Sequence, residues 1–228
     1  MTRSQVTGLL SIFGMATIQA GCAATQRLEL SESLVNVDQI TIRGDVGVTE
    51  VVPGSRARII QELNAPEGTI ERSVQVVDGH LTVETRCKTP VLCSVNSRVQ
   101  VPEGIAVRVE LDEGEVWATG IGDLDVELGS GTADLDTLGS LGAHVGHGRI
   151  RAESAQGQRV RLTVGQGDIE LLVPRTPWRV DVQSQESQIL GVLRDQQASG
   201  SLELIAPSGR VRVRAIGPAA DSGSAFAP

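Results

Sequence analysis

Residues 129–136 read GSGTADLD, a glycine-rich turn followed by small and acidic side chains. Such a turn cradles phosphate when a strand leads into it and a helix N-terminus follows to meet the anion. Here the residues after Gly131 alternate apolar and polar as a strand does, no third glycine stands at the fingerprint spacing, and GKS and GKT are absent. Nucleotide binding is not expected. The acidic run around it raises other chemistry. Residues 109–148 hold no Lys or Arg but carry Glu110, Asp112, Glu113, Glu115, Asp123, Asp125, Glu127, Asp134 and Asp136. Paired carboxylates serve glycoside hydrolysis, and carboxylates on turns hold calcium. The nonapeptide calcium repeat is missing, and only two Trp, two Phe and no Tyr are available to build a sugar cleft. A solvated acidic face is the expectation, with calcium binding left open. His144 and His147 flank one corner; zinc would need a third or fourth ligand that the sequence does not supply. No metal, no cofactor and no catalytic residue are assigned, because no Ser-His-Asp or Cys-His set has local support. The candidate surface contacts are Trp117, Glu110, Glu127 and His144, with Trp178 in the PRTPWR stretch as a second exposed-or-packed aromatic.

The cysteines speak to compartment. Cys87 and Cys93 (CKTPVLC) surround a Thr-Pro turn and are close enough to form a disulfide in an oxidising compartment; two free thiols are the alternative. The third, Cys22, follows a weakly basic start at Arg3 and a 13-residue apolar run, Val6 to Ile18, too short to span a bilayer. Gln19-Ala20-Gly21-Cys22 is similar to a bacterial lipoprotein signal, with Gln19 where an aliphatic residue is usual. That resemblance implies removal of residues 1–21 and acylation (palmitate among the chains) of Cys22, which anchors the protein to a membrane. Ala23, in place of an inner-membrane-retaining aspartate, favours the outer membrane. Ordinary secretion with cleavage nearby is the alternative. A net charge of −8 excludes nucleic acid as a partner.

These residues need a frame to hold them, and the frame is repetitive. Gly114, Gly131, Gly148, Gly167, Ser187 and Gly209 align at separations of 17, 17, 19, 20 and 22 residues. Seven before this anchor stand Val107, Leu124, Leu141, Val160, Val180 and Leu202; two after it stand Val116, Ala133, Ile150, Ile169, Ile189 and Val211. The apolar columns occupy alternate places, which is strand periodicity. Each unit is a strand, a glycine corner and a second strand, and it buries its apolar side only by stacking on its neighbours. The outward columns alternate in sign: Trp117, Asp134, Arg151, Glu170 in one, Arg108, Asp125, Gly142, Arg161, Asp181 in another. The fold class is therefore all-β, a single-domain β-solenoid with coils of about 17–22 residues. The expected divisions are 1–21 signal peptide, 22–37 lipidated N-terminus and tether, 38–100 an irregular, partly antiparallel capping region with a hairpin at Asp78-Gly79, 101–216 regular coils and 217–228 a disordered tail.

VPEGIAVRVELDEGEVWATGIGDLDVELGSG, with its VPEG entry and recurring Gly-x-Gly corners, resembles the adhesin-like β-solenoid proteins of the bacterial envelope, in the style of head-GIN domains. The likeness covers roughly residues 38–216; Ser184 in an inward place and Ser187 at the corner depart from it. It implies a secreted or anchored β-repeat protein and supplies no catalytic residues. The expected function is a non-enzymatic, membrane-anchored envelope scaffold that binds an envelope protein or glycan. A polysaccharide-active β-helix enzyme working through the acidic face, or an end-to-end self-assembling element, are the alternatives.

Overall fold

The computed structural model describes residues 15–16, 24–30, 37–66, 68–88, 93–154 and 159–217. Cys22, most of the apolar leader and residues 218–228 lie outside them. Among the described residues all regular structure is strand. Seven long strands form the body: β3 (Gln39–Pro53), β8 (Ala106–Ile121), β9 (Leu124–Thr137), β10 (Leu141–Ser154), β11 (Arg159–Pro174), β12 (Pro177–Leu190) and β14 (Gly200–Ile216). They lie parallel in one sheet in the order β3-β8-β9-β10-β11-β14-β12.

Each rung turns a corner near its middle, and both arms send alternate side chains inward. In β9 these are Leu124, Val126 and Leu128 before the corner and Ala133, Leu135 and Thr137 after it. One apolar cluster joins the inner side chains of both arms along the stack. It is built of Val, Leu, Ile and Ala, whose branched or short side chains suit a pleated surface with rungs ~4.8 Å apart. The corners fall in register: Gly47 on Gly114, Gly114 on Gly131, Gly131 on Gly148, Gly148 on Gly167. Gly131 shows why the column is glycine. Its φ is +137°, and a Cβ there would fall on the carbonyl oxygen of Gly114 one rung below.

At the N-terminal end the next rung is split. β6 (His80–Cys87) runs beside the first arm of β3 and β7 (Ser94–Val101) beside its second. The disulfide Cys87–Cys93, Cα atoms 6.0 Å apart, closes the enlarged corner between them, and the Cys87 N–H donates to Asp45. β5 (Ile70–Val77) pairs antiparallel with β6 across Asp78-Gly79, whose φ values of 50° and 80° are those of a tight hairpin turn. β4 (Arg58–Ala65) runs antiparallel to β7, β2 (Ala24–Leu30) to β4, and β1 (Met15–Ala16) to β2. Antiparallel strands therefore cover this end, as expected. Two details differ. Residues 39–53, assigned to the irregular region, form a full rung with the corner glycine Gly47. Residues 24–30, assigned to the tether, form a strand.

Gln61, wholly buried on β4, ties the split rung together: its Nε2–H donates to Ser97 Oγ at 3.1 Å, and its Oε1 accepts from Thr85 Oγ at 3.2 Å. Gln61→Ala is expected to cost about 2–3 kcal/mol by leaving buried hydroxyls unpaired. Denaturant unfolding measures this.

The far end corrects the expected rung order. Coils stacked in sequence would place β12 between β11 and β14. Instead β14 lies between β11 and β12, with Val160 beside Leu202 and Leu202 beside Val180. Composition explains the exchange. β14 buries Leu202, Leu204, Ala206, Val211, Val213 and Ala215, whereas the inward places of β12 include Ser184 and Ser187. An interior rung meets apolar neighbours on both sides, so the more apolar strand takes it. Charge agrees: β14 sets Arg210 against Asp168, where β12 in the same register would set Glu186. Ser187 is opposite Val211 and does not align with Gly209. β12 has one residue where β14 has three at the corner, and the ladder slips between Ser184 and Glu186.

Candidate functional site

With the rungs in register, alternate outward side chains form continuous ladders on two faces. On the face before the corner, one ladder runs Arg43, Glu110, Glu127, His144 and the adjoining one Arg108, Asp125. Arg108 is the hub. Its Nε–H donates to Glu110 at 2.5 Å, Nη1 to Asp125 at 2.5 Å and Nη2 to Glu127 at 3.0 Å. Arg43 reaches Glu110 from the other side at 2.7 Å. Arg43, Glu110 and Glu127 border an open polar cleft of about 590 Å³, lined also by Asp45, Arg86 and His144. Burial pushes the Glu110 carboxyl upward, but the hydrogen bonds from Arg43 and Arg108 outweigh it and hold the group below the usual carboxylate range. Glu110 is thus fixed as an ionised acceptor between two guanidinium groups.

The face beyond the corner carries Arg98, Glu50, Trp117, Asp134, Arg151, Glu170 and Arg212 on successive rungs. Arg98 pairs with Glu50 at 3.4 Å; Glu170 pairs with Arg151 at 3.3 Å and with Arg212 at 3.5 Å. In the adjoining column Arg210 binds Asp168 at 2.8 Å. Its hydrogen bonds hold Asp168 below the usual carboxylate range. Trp117 is half exposed, and its Nε1–H donates to Glu115 at 3.1 Å. It borders a shallow cleft of about 380 Å³ with Asp134, Asp136 and Arg151.

The structure thus brings Glu110, Glu127 and His144 onto one face and puts Trp117 on the other. Trp178 is fully buried, with its Nε1–H donating to the Pro174 carbonyl at 3.2 Å, so it packs and presents nothing. Among the described residues no three His, Cys, Asp or Glu side chains are grouped as metal ligands, and no helix is long and apolar enough to cross a membrane. Sequence reasoning missed Arg43, because residues 39–53 were not aligned with the repeat. Aligning Gly47 with Gly114 would have placed Arg43 beside Glu110.

The carboxylates whose folded pKa is lowered contribute stability that is present above their unfolded pKa and lost as pH falls through the folded one. The unfolding midpoint is therefore expected to fall on acidification below the usual carboxylate range. Arg108→Ala should lower the midpoint at neutral pH and flatten this fall. Denaturant titrations across pH measure both.

No family model matches the chain, and no curated protein matches it. Solved structures do. The chain shares its fold with a "putative cell adhesion protein" from Clostridium sporogenes: TM-score 0.50, 12% identity, 84% of this chain and 100% of that one covered. A "putative adhesin" from Bacteroides fragilis is similar at TM-score 0.26 and 11% identity, covering 83% of this chain and 97% of that one. A "putative lipid binding protein" from Parabacteroides distasonis is similar at 0.30 and 12%, covering 83% and 96%.

Proposed function

We propose that the chain is an exported, non-catalytic β-solenoid, held to the outer membrane by lipid on Cys22, that binds an envelope protein or glycan through its laddered faces. The observation that carries this reading is the Arg43–Glu110–Arg108–Glu127 cluster: both signs of charge are held at fixed rung spacing beside an open cleft. Such a surface recognises a repeating polar partner without moving parts. A general acid needs a raised carboxyl pKa, and Glu110 is shifted the other way, which sets Glu110 against that one role. The adhesion-protein name of the Clostridium sporogenes structure agrees with a binding role. If residues 1–21 are removed, β1 leaves with them and β2 stays on the sheet.

The test is capture from envelope extracts by the anchored chain. Wild type should retain a protein or glycan that Arg43→Ala/Arg108→Ala loses at least tenfold; equal capture contradicts the reading. Cys22→Ala should release the protein from membranes. If it stays attached, the lipid anchor is wrong. Glycan turnover that vanishes in Glu110→Gln or Glu127→Gln would favour the enzyme instead.

A further inference from the structure

The two ends of the stack finish differently. At the β3 end, β5 lies against β6 and β4 against β7. At the other end β12 pairs along one edge with β14. Along its second edge only Pro177 and Trp178 meet a strand, β13 (Leu193–Arg194). Among the described residues no strand faces positions 179–190. The interior thins out here: Val180, Val182 and Ile189 are only partly buried, and Leu190 and Leu193 are each 52% exposed. A strand edge without a neighbouring strand, beside apolar side chains, is a template for another strand.

We propose that this edge pairs with the same edge of a second copy, antiparallel, about a two-fold axis at the corner between Ser184 and Gln185. The free stretch is centred there, and both its limits fit. At one end β13 occupies the edge at Pro177–Trp178; at the other the chain turns away at Gly191, φ 70°. Full overlap then pairs like with like. Val180 meets the partner's Ile189 and Val182 the partner's Ser187, all on the inward side, as their alignment with Leu202, Leu204, Val211 and Val213 shows. Outward, Asp181 meets the partner's Gln188 and Gln183 meets the partner's Glu186, so each carboxylate faces an amide donor. A one-residue slip sets inward side chains against outward ones. A two-residue slip in one direction opposes Asp181 and Glu186. The first arm of each copy lies on the second arm of the other, and the two interiors become continuous. The contact is self-complementary and closes as a dimer rather than a fibre, because a two-fold contact uses the same edge in both copies.

The test is the solution mass of the full chain in mild detergent, by sedimentation over micromolar concentrations. Gln183→Glu/Gln188→Glu and Gln183→Lys/Gln188→Lys are run beside it. Both glutamines are exposed, so each variant should unfold close to the wild-type midpoint when all are diluted below the dissociation constant. Wild type is expected to be a dimer. The Glu pair, facing Glu186 and Asp181 across the axis, should raise the dissociation constant roughly tenfold or more; the Lys pair should lower it. A wild-type monomer, as when residues 218–228 or another protein cover the edge, overturns the proposal. So does a dimer whose dissociation constant ignores both substitutions.

Discussion

Gly131→Ala is expected to destabilise the protein by about 3 kcal/mol or more, an unusual cost for one methyl group. Two effects combine. A side chain at φ +137° is strained wherever it sits, on the order of 1–3 kcal/mol. The new Cβ would also collide with the backbone carbonyl of Gly114, which the β8 ladder holds in place on both sides. Relief requires the rungs to part, and parting them breaks ladder hydrogen bonds. Gly122→Ala is the control. Gly122 has open space at its Cβ position and no positive φ, so about 0.5 kcal/mol is expected there. Urea midpoints of the two variants decide between a corner that needs glycine and one that merely has it.

Leu128→Asp is expected to cost at least about 4–5 kcal/mol, enough to unfold a marginal domain. Leu128 is 1% exposed in the main cluster, just before the corner of β9. A carboxylate there would be unpaired among apolar neighbours. Asp134→Ala, six residues on but facing outward on the Trp117 ladder, should stay within about 0.5 kcal/mol. If the two variants unfold alike, the inward and outward columns have been assigned to the wrong faces.

The repeat was legible because its signal is period-two and column-wise. Val107, Leu124, Leu141 and Val160 could be stacked on paper, and the ladder stacks them in the same register. The glycine column, the outward Trp117 and the Asp78-Gly79 turn followed from local chemistry. Rung order did not. Nothing local in Pro177–Leu190 says that a later strand will enter between it and β11. That depends on a comparison of two non-adjacent segments: β14 is more apolar inward and matches Asp168 and Glu170 with Arg210 and Arg212. The split rung was hidden for a similar reason. Its corner is a disulfide-closed loop, so the glycine that marks other corners is missing between Cys87 and Cys93. Of the site, the acidic members were visible, but Arg43, which approaches Glu110 from the neighbouring rung, emerged only with β3 in place.

The laddered face beyond the corner requires β14, and not β12, beside β11, and rung order is its most direct test. Asp168 lies beside Arg210 on the neighbouring strand, whereas sequential stacking in the register of β12 would bring it beside Glu186. Neighbouring rungs are ~4.8 Å apart, within disulfide reach; rungs two apart are not. Asp168→Cys/Arg210→Cys and Asp168→Cys/Glu186→Cys are oxidised and the cross-linked peptides identified by mass spectrometry. The Asp168–Arg210 positions should cross-link in high yield and the Asp168–Glu186 positions should not. The reverse result would restore sequential stacking and break the ladder at Asp168.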